Sequence, residues 1–151
     1  MAGSRRATHA PRRVELPDGR TVWGRGLRRS DPPDPLPTFG VYLLGTAPDD
    51  IAWEHRWVRW PDFRTPSSDA DAIAALREAH ERSRDEVVEI ACFGGIGRTG
   101  SGIALLARMA GVAPDEAVAW ARANYHPGAV EMPWQRRWVR RVSIGSDSTA
   151  S

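Results

Sequence analysis

The sequence predicts an α/β fold, a small central sheet flanked by helices, and three observations carry that prediction. A compact apolar run over 87–91 leads into the glycine-rich stretch Cys92-Phe93-Gly94-Gly95-Ile96-Gly97-Arg98-Thr99-Gly100, and an apolar segment over 101–110 leaves it. These read as a buried strand, a turn and a buried helix. A second run, Phe39-Gly40-Val41-Tyr42-Leu43-Leu44, is apolar on both faces and reads as another inner strand. Three further helical patterns, one before the turn and two after it, supply the covering layer, and that order places helices on both sides of the sheet.

In chain order, residues 1–13 are small and polar and carry four arginines, the composition of a solvated tail. The domain plan is a disordered basic tail over 1–15, one domain over 16–143 and a frayed end over 144–151. Leu16-Pro17-Asp18-Gly19-Arg20 holds a turn signal, and Thr21-Val22-Trp23 makes a short strand after it. Four prolines between positions 30 and 37 exclude a helix or inner strand there and leave an extended connector. The strand that follows is closed by a loop over 45–50. Tryptophans then recur at 53, 57 and 60, and the alternation in Arg56-Trp57-Val58-Arg59 selects a strand over about 55–58.

Residues 60–66 form a loop with two prolines. Ser68-Asp69-Ala70-Asp71 has the form of a capping box with acids in the first turn, so a helix is expected over 69–83 with Ile73 and Leu76 inward. After the turn and its helix, Gly111 is the stop. Pro114-Asp115-Glu116 starts another helix, which runs to about Tyr125. His126-Pro127-Gly128 turns the chain. A last helix over 133–142 puts Trp134, Trp138 and Val142 on one face.

Composition narrows the function. The 151 residues suit one domain. A formal charge of +2 gives no field that favours nucleic acid. The single cysteine excludes an internal disulfide, and a reactive thiol suits a reducing compartment. No apolar run approaches the roughly 20 residues of a membrane span, and the basic start lacks an apolar h-region. A cytoplasmic protein with neither a membrane nor a nucleic-acid partner is expected.

Strand, glycine-rich turn and helix N-terminus aim backbone N–H groups at one spot, a geometry that binds anions. The only cysteine opens the turn and Arg98 stands six positions on. Such a setting favours the thiolate form of a cysteine. The stretch therefore offers a nucleophile, a cradle of amides from Phe93, Gly94, Gly95, Ile96, Gly97 and Arg98, and a planar guanidinium fork for two phosphate oxygens. A thiolate attacking phosphorus makes a phosphocysteine and divides hydrolysis into two easier steps. A general acid must protonate the departing oxygen and then activate water. Asp62, in the loop after Trp60-Pro61, is the candidate. The Thr99 hydroxyl is placed to donate to the sulfur. A lone cysteine after an apolar strand is ordinarily a small core residue; the spacing to Arg98 and the loop upstream count against that here.

At these residues the sequence resembles the cysteine-dependent protein tyrosine phosphatase superfamily, specifically its compact, dual-specificity-like bacterial-type members. Cys92 to Arg98 has the family's Cys-x5-Arg spacing, continued by Thr99-Gly100, and Trp60-Pro61-Asp62 is similar to its mobile loop bearing the catalytic acid. Arg122 and the segment His126 to Gln135 are similar to the region where a glutamine positions the hydrolytic water. The resemblance implies that role for Gln135. It also implies a phosphatase acting on phosphotyrosine, with phosphoserine and phosphothreonine as further substrates, through a phosphocysteine and without cofactor or metal. The family's usual histidine before the cysteine is Ala91 here. No lysine stands between Cys92 and Arg98, unlike relatives that act on inositol lipids, so a phosphorylated protein or small phosphoester is the implied substrate. The missing histidine leaves a catalytically silent phosphate-binding module as the alternative.

Gly95-Ile96-Gly97-Arg98-Thr99-Gly100 also fits the dinucleotide pattern G-x-G-x-x-G. That reading needs a further parallel strand after the helix, and no strand pattern follows Gly111. The histidines at 9, 55, 80 and 126 show no metal spacing.

Overall fold

The computed structural model describes residues 10–145. Strands β1 (Arg12–Glu15), β2 (Thr21–Gly26), β3 (Phe39–Leu44), β4 (Glu54–Arg59) and β5 (Val88–Cys92) form one sheet in the order β1-β2-β5-β3-β4. β1 runs antiparallel to β2, and every other neighbouring pair is parallel. The helices are α1 (Asp69–Arg82), α2 (Gly97–Met109), α3 (Ala117–Asn124) and α4 (Pro133–Arg141). The strand entering the cysteine turn is the middle one and is buried throughout. Parallel pairing brings the C-terminal ends of β2, β4 and β5 to one edge of the sheet. Cys92 is the last residue of β5, and the segments that leave β2 and β4 carry Arg28 and Asp62. Crevices at that edge are where open α/β sheets bind ligands.

Local signals behave as expected at several ends. Ser68 Oγ accepts from the Asp71 N–H at 3.1 Å and caps α1, and Gly111 ends α2's turn at φ +114°. Leu76 is buried and Ile73 is packed against the core. Among the described residues no strand follows α2, which removes the dinucleotide reading.

The α/β class holds, but the expectation of helices on both sides does not. Gly102 of α2 faces Ile90 of β5, Leu43 of β3 and Leu76 of α1, so both helices lie on one face. The other face carries a buried polar cluster. Glu89 is fully buried and accepts from Arg25 Nε at 2.6 Å, Arg25 Nη2 at 3.0 Å and Tyr42 Oη at 2.6 Å. Arg25 Nη1 donates to Ser30 O at 3.0 Å and Trp53 Nε1 donates to Tyr42 Oη at 2.6 Å. The proline-rich connector and the Trp53 segment thus cover this face. Burial, reinforced by the Glu89 charge, pushes the Tyr42 hydroxyl well above its ordinary pKa.

Five expectations need correction. The tail assigned to 1–15 does not hold over Arg12–Glu15, which is a strand registered against β2 from Arg12↔Gly24 to Glu15↔Thr21. Its only inward side chain is Val14, so the segment looks polar while its backbone is paired; residues 1–9 lie outside those described. β2 extends past Trp23 to Gly26, because parallel pairing with β5 continues to Gly26↔Cys92. α2 starts at Gly97, four residues before the apolar run, since packing overrides the poor helix propensity of its glycines. The helix expected from Pro114 begins as a 3-10 turn, Pro114–Glu116, before α3. In α4 the buried residues are Gln135 and Val139, and Trp134 is half exposed. Of the end assigned to 144–151, only residues 144 and 145 are described.

Candidate active site

The turn after β5 wraps its own cysteine. Cys92 Sγ accepts from the Gly95 N–H at 3.2 Å and from Thr99 Oγ1 at 3.0 Å. Both donors stabilise negative charge on the sulfur. Gly95 sits at φ +77°, and a Cβ there would lie 2.4 Å from the Gly26 nitrogen. The turn therefore needs glycine on two counts, conformation and the close approach of β2. Tyr125 Oη donates to the Gly95 carbonyl and fixes the turn from behind. Burial, then the nearby Cys92, holds the Tyr125 hydroxyl above its ordinary pKa, so it remains a donor. Leu27 N–H donates to Cys92 O and Arg28 N–H to Phe93 O, which extends β2 alongside the turn.

Because α2 begins at Gly97, Arg98 and Thr99 occupy its first turn, where unpaired N–H groups and the helix dipole favour an anion. Arg98 is 4% exposed. Its Nη1 donates to Trp60 O at 2.9 Å, and its Nε lies 3.6 Å from Asp62 Oδ1. The structure thus brings Cys92, Arg98, Thr99 and Asp62 to one place. Asp62 is the exposed member, with 60% of its side chain accessible.

The loop carrying Asp62 is held at several points. Trp60 is fully buried against Trp138 in an edge contact of 5.2 Å, and its Nε1 donates to Arg64 O. Phe63, at φ +64°, turns the chain back. From α4, Trp134 Nε1 donates to Phe63 O at 2.6 Å and Gln135 Nε2 to Arg64 O at 2.9 Å. Gln135 Oε1 accepts from Met132 N at 3.1 Å. The Gln135 amide is therefore engaged with backbone on both sides of the loop junction. Arg122 supports the same region, donating to Ala129 O and Val130 O at 2.8 Å each.

Phe93 and Phe63 are the exposed apolar side chains next to Cys92 and Asp62, and the Arg28 guanidinium lies 5.0 Å from the Phe93 ring centroid. Sequence reasoning did not find Tyr125, Trp134, Arg28 or Gly26. Their partners are 30 or more residues away along the chain, and no local pattern marks them. Among the described residues no group of His, Cys, Asp and Glu is placed to hold a metal ion, and no helix is long and apolar enough to cross a membrane.

A family model for protein-tyrosine phosphatase matches residues 40–124. Of solved structures, Tk-PTP in its active form aligns over 83% of this chain and 92% of its own, with TM-score 0.60 and 26% identity. A mutant form of Tk-PTP aligns over 69% and 75%, with TM-score 0.57 and 27% identity. Kinase associated phosphatase, with its catalytic-site cysteine replaced by serine, aligns over 68% and 66%, with TM-score 0.58. At 17% identity that likeness concerns the fold. No curated protein sequence matches the chain.

Proposed function

This chain belongs to the protein-tyrosine phosphatase family, and from that premise we propose that it hydrolyses phosphotyrosine esters, with phosphoserine and phosphothreonine as further substrates, through a phosphocysteine. The observation that carries the reading is the convergence at Arg98. Its guanidinium faces the Asp62 carboxylate at 3.6 Å, and Thr99, the next residue, donates to Cys92 Sγ.

In the first step the Cys92 sulfur attacks phosphorus in line. The S–P bond forms as the ester P–O bond breaks, and the leaving oxygen takes a proton from Asp62. The amides of 93–98 and the Arg98 fork carry the charge of the transferring group, whose binding displaces Asp62 from Arg98 Nε, so that Asp62, protonated from solvent, enters the step as the neutral acid. In the second step Asp62 takes a proton from water, the water oxygen bonds to phosphorus, and the S–P bond breaks to return the thiolate. Thr99 stabilises the departing sulfur through its 3.0 Å hydrogen bond. The Gln135 amide is held at the loop junction, where its resemblance-derived role is positioning for the second step. The aromatic rim of Phe63 and Phe93 suits an aryl ester, and a phosphorylated protein or small phosphoester is the proposed partner, in the cytoplasm.

The test is turnover of a small aryl phosphate without added metal, with Cys92→Ser in parallel. Activity in the wild type and none in the variant is expected. An active Cys92→Ser protein defeats the mechanism, and an inactive wild type that binds phosphotyrosine identifies a silent binding module.

A further inference from the structure

A cavity of about 360 Å³ lies behind the cysteine turn. Its walls include Gly24 and Gly26 of β2 and, opposite, the backbone of 94–96; Cys92, Arg98 and Asp62 do not line it. Gly95 divides the two spaces. Its N–H faces Cys92 Sγ, while its carbonyl accepts from Tyr125, which lines the cavity. The β2 glycines leave no room for side chains, since a Cβ at Gly24 would strike the Tyr125 ring and one at Gly26 the Gly94 carbonyl.

Charge here is one-sided. Arg12, Arg25 and Arg29 line the cavity and no carboxylate does, although acidic and basic residues nearly balance in the chain. The hollow around Asp18, Arg20 and Arg84 mixes both signs by contrast. Glu89 neutralises Arg25. Arg12 and Arg29 have no carboxylate at ion-pair distance among the described residues. The Arg12 charge reaches the Tyr125 hydroxyl, where it opposes the upward push of burial and of Cys92. Two unpaired guanidiniums at one cavity match a doubly charged oxyanion, and ligand sites commonly occupy about 300–1,000 Å³.

We propose that this cavity is a second phosphate site, holding a phosphate-bearing group other than the one transferred at Cys92. The group arrives either on a doubly phosphorylated substrate or as free phosphate. The first source rests on the phosphatase reading above; the site itself does not.

Equilibrium titration with inorganic phosphate, followed by backbone amide NMR, tests the site independently of turnover. Two sites per chain are expected in the wild type, the second shifting Gly24 and Gly26. Arg12→Gln/Arg29→Gln weakens that second site about tenfold or more. Arg29→Gln alone, in the loop after β2, serves if the double variant does not fold. A single site with unmoved β2 amides overturns the proposal, whether or not the chain is active. The source follows from kcat/KM on a phosphotyrosine peptide with and without a nearby phosphoserine. A preference of about tenfold for the doubly phosphorylated peptide, lost in the double variant while aryl phosphate turnover is unchanged, assigns the site to substrate. Two phosphate sites with no such preference assign it to free phosphate. Failure of aryl phosphate turnover alone counts against the catalytic reading and leaves the site standing.

Discussion

Gln135 donates from Nε2 to the carbonyl oxygen of Arg64 across 2.9 Å, although 71 residues separate them in sequence. The side chain is 1% exposed, and its oxygen is taken by the Met132 N–H. With Trp134 bonded to Phe63 O, the first turn of α4 fastens the loop that carries Asp62.

Gln135→Ala is therefore expected to loosen that loop, lowering kcat on an aryl phosphate about tenfold and stability by about 1–3 kcal/mol, the range for a buried group left unpaired. Rapid-mixing kinetics separate this from a role confined to the water. A defect only in the second step gives a burst of aryl alcohol, whereas a displaced Asp62 slows the first step and gives none. Unchanged turnover removes Gln135 from the machinery.

Asp62→Asn keeps the shape of the side chain and removes the proton donor. The rate on an aryl phosphate is expected to fall by roughly 10² to 10⁴, the usual span for general acid–base catalysis. The loss shrinks for esters whose alcohol leaves readily as an anion. An equal loss for good and poor leaving groups assigns the acid elsewhere.

Glu89→Gln tests the buried cluster under the sheet. Arg25 would retain its charge at 6% side-chain exposure with no carboxylate opposite. Removing one partner of a buried pair costs about 3–5 kcal/mol, so a lowered unfolding midpoint in denaturant is expected. A change under 1 kcal/mol would show that water reaches Arg25.

Acid sensitivity follows from three carboxylates held below their ordinary values. Hydrogen bonds and charge from Arg82 lower Glu54 and Glu86, against a smaller opposing effect of burial. At Asp18 burial pushes upward, but hydrogen bonds from His80 and Arg20 together prevail and the net shift is downward. A depressed carboxyl binds fewer protons folded than unfolded, so the unfolded state takes up protons first as pH falls. Their stabilisation is present above the ordinary carboxylate range near pH 4 and is lost as pH drops through the folded values. The melting temperature should be flat from about pH 5 to 7 and fall below about pH 4. Arg82→Ala should flatten that fall, and an unaltered slope would exclude the cluster.

The central strand, the cysteine turn and the Asp62 loop were legible because each is a contiguous pattern. Val88–Cys92 is an apolar run ended by glycines, Ser68 caps at its own helix, and Cys92 to Arg98 is a spacing within a single turn. Arg12–Glu15 was not legible, because one inward valine gives no periodicity and the strand exists through hydrogen bonds to β2. Glu89 was visible as a carboxylate within an apolar run, yet its partner Arg25 lies 64 residues away.

What the sequence determined by itself was local: a phosphate-type turn, its cysteine and arginine, and an acid on a loop upstream. Backbone sterics and residue spacing dictate those without reference to the rest of the chain. Tertiary structure alone decided that Asp62 meets Arg98, that Tyr125 fixes Gly95, that Gln135 holds the loop, and that Arg12 and Arg29 gather behind the turn. Each of these joins segments whose separation is set by parallel strand pairing and helix packing, and one-dimensional spacing carries no record of which distant side chains such packing brings within hydrogen-bond reach.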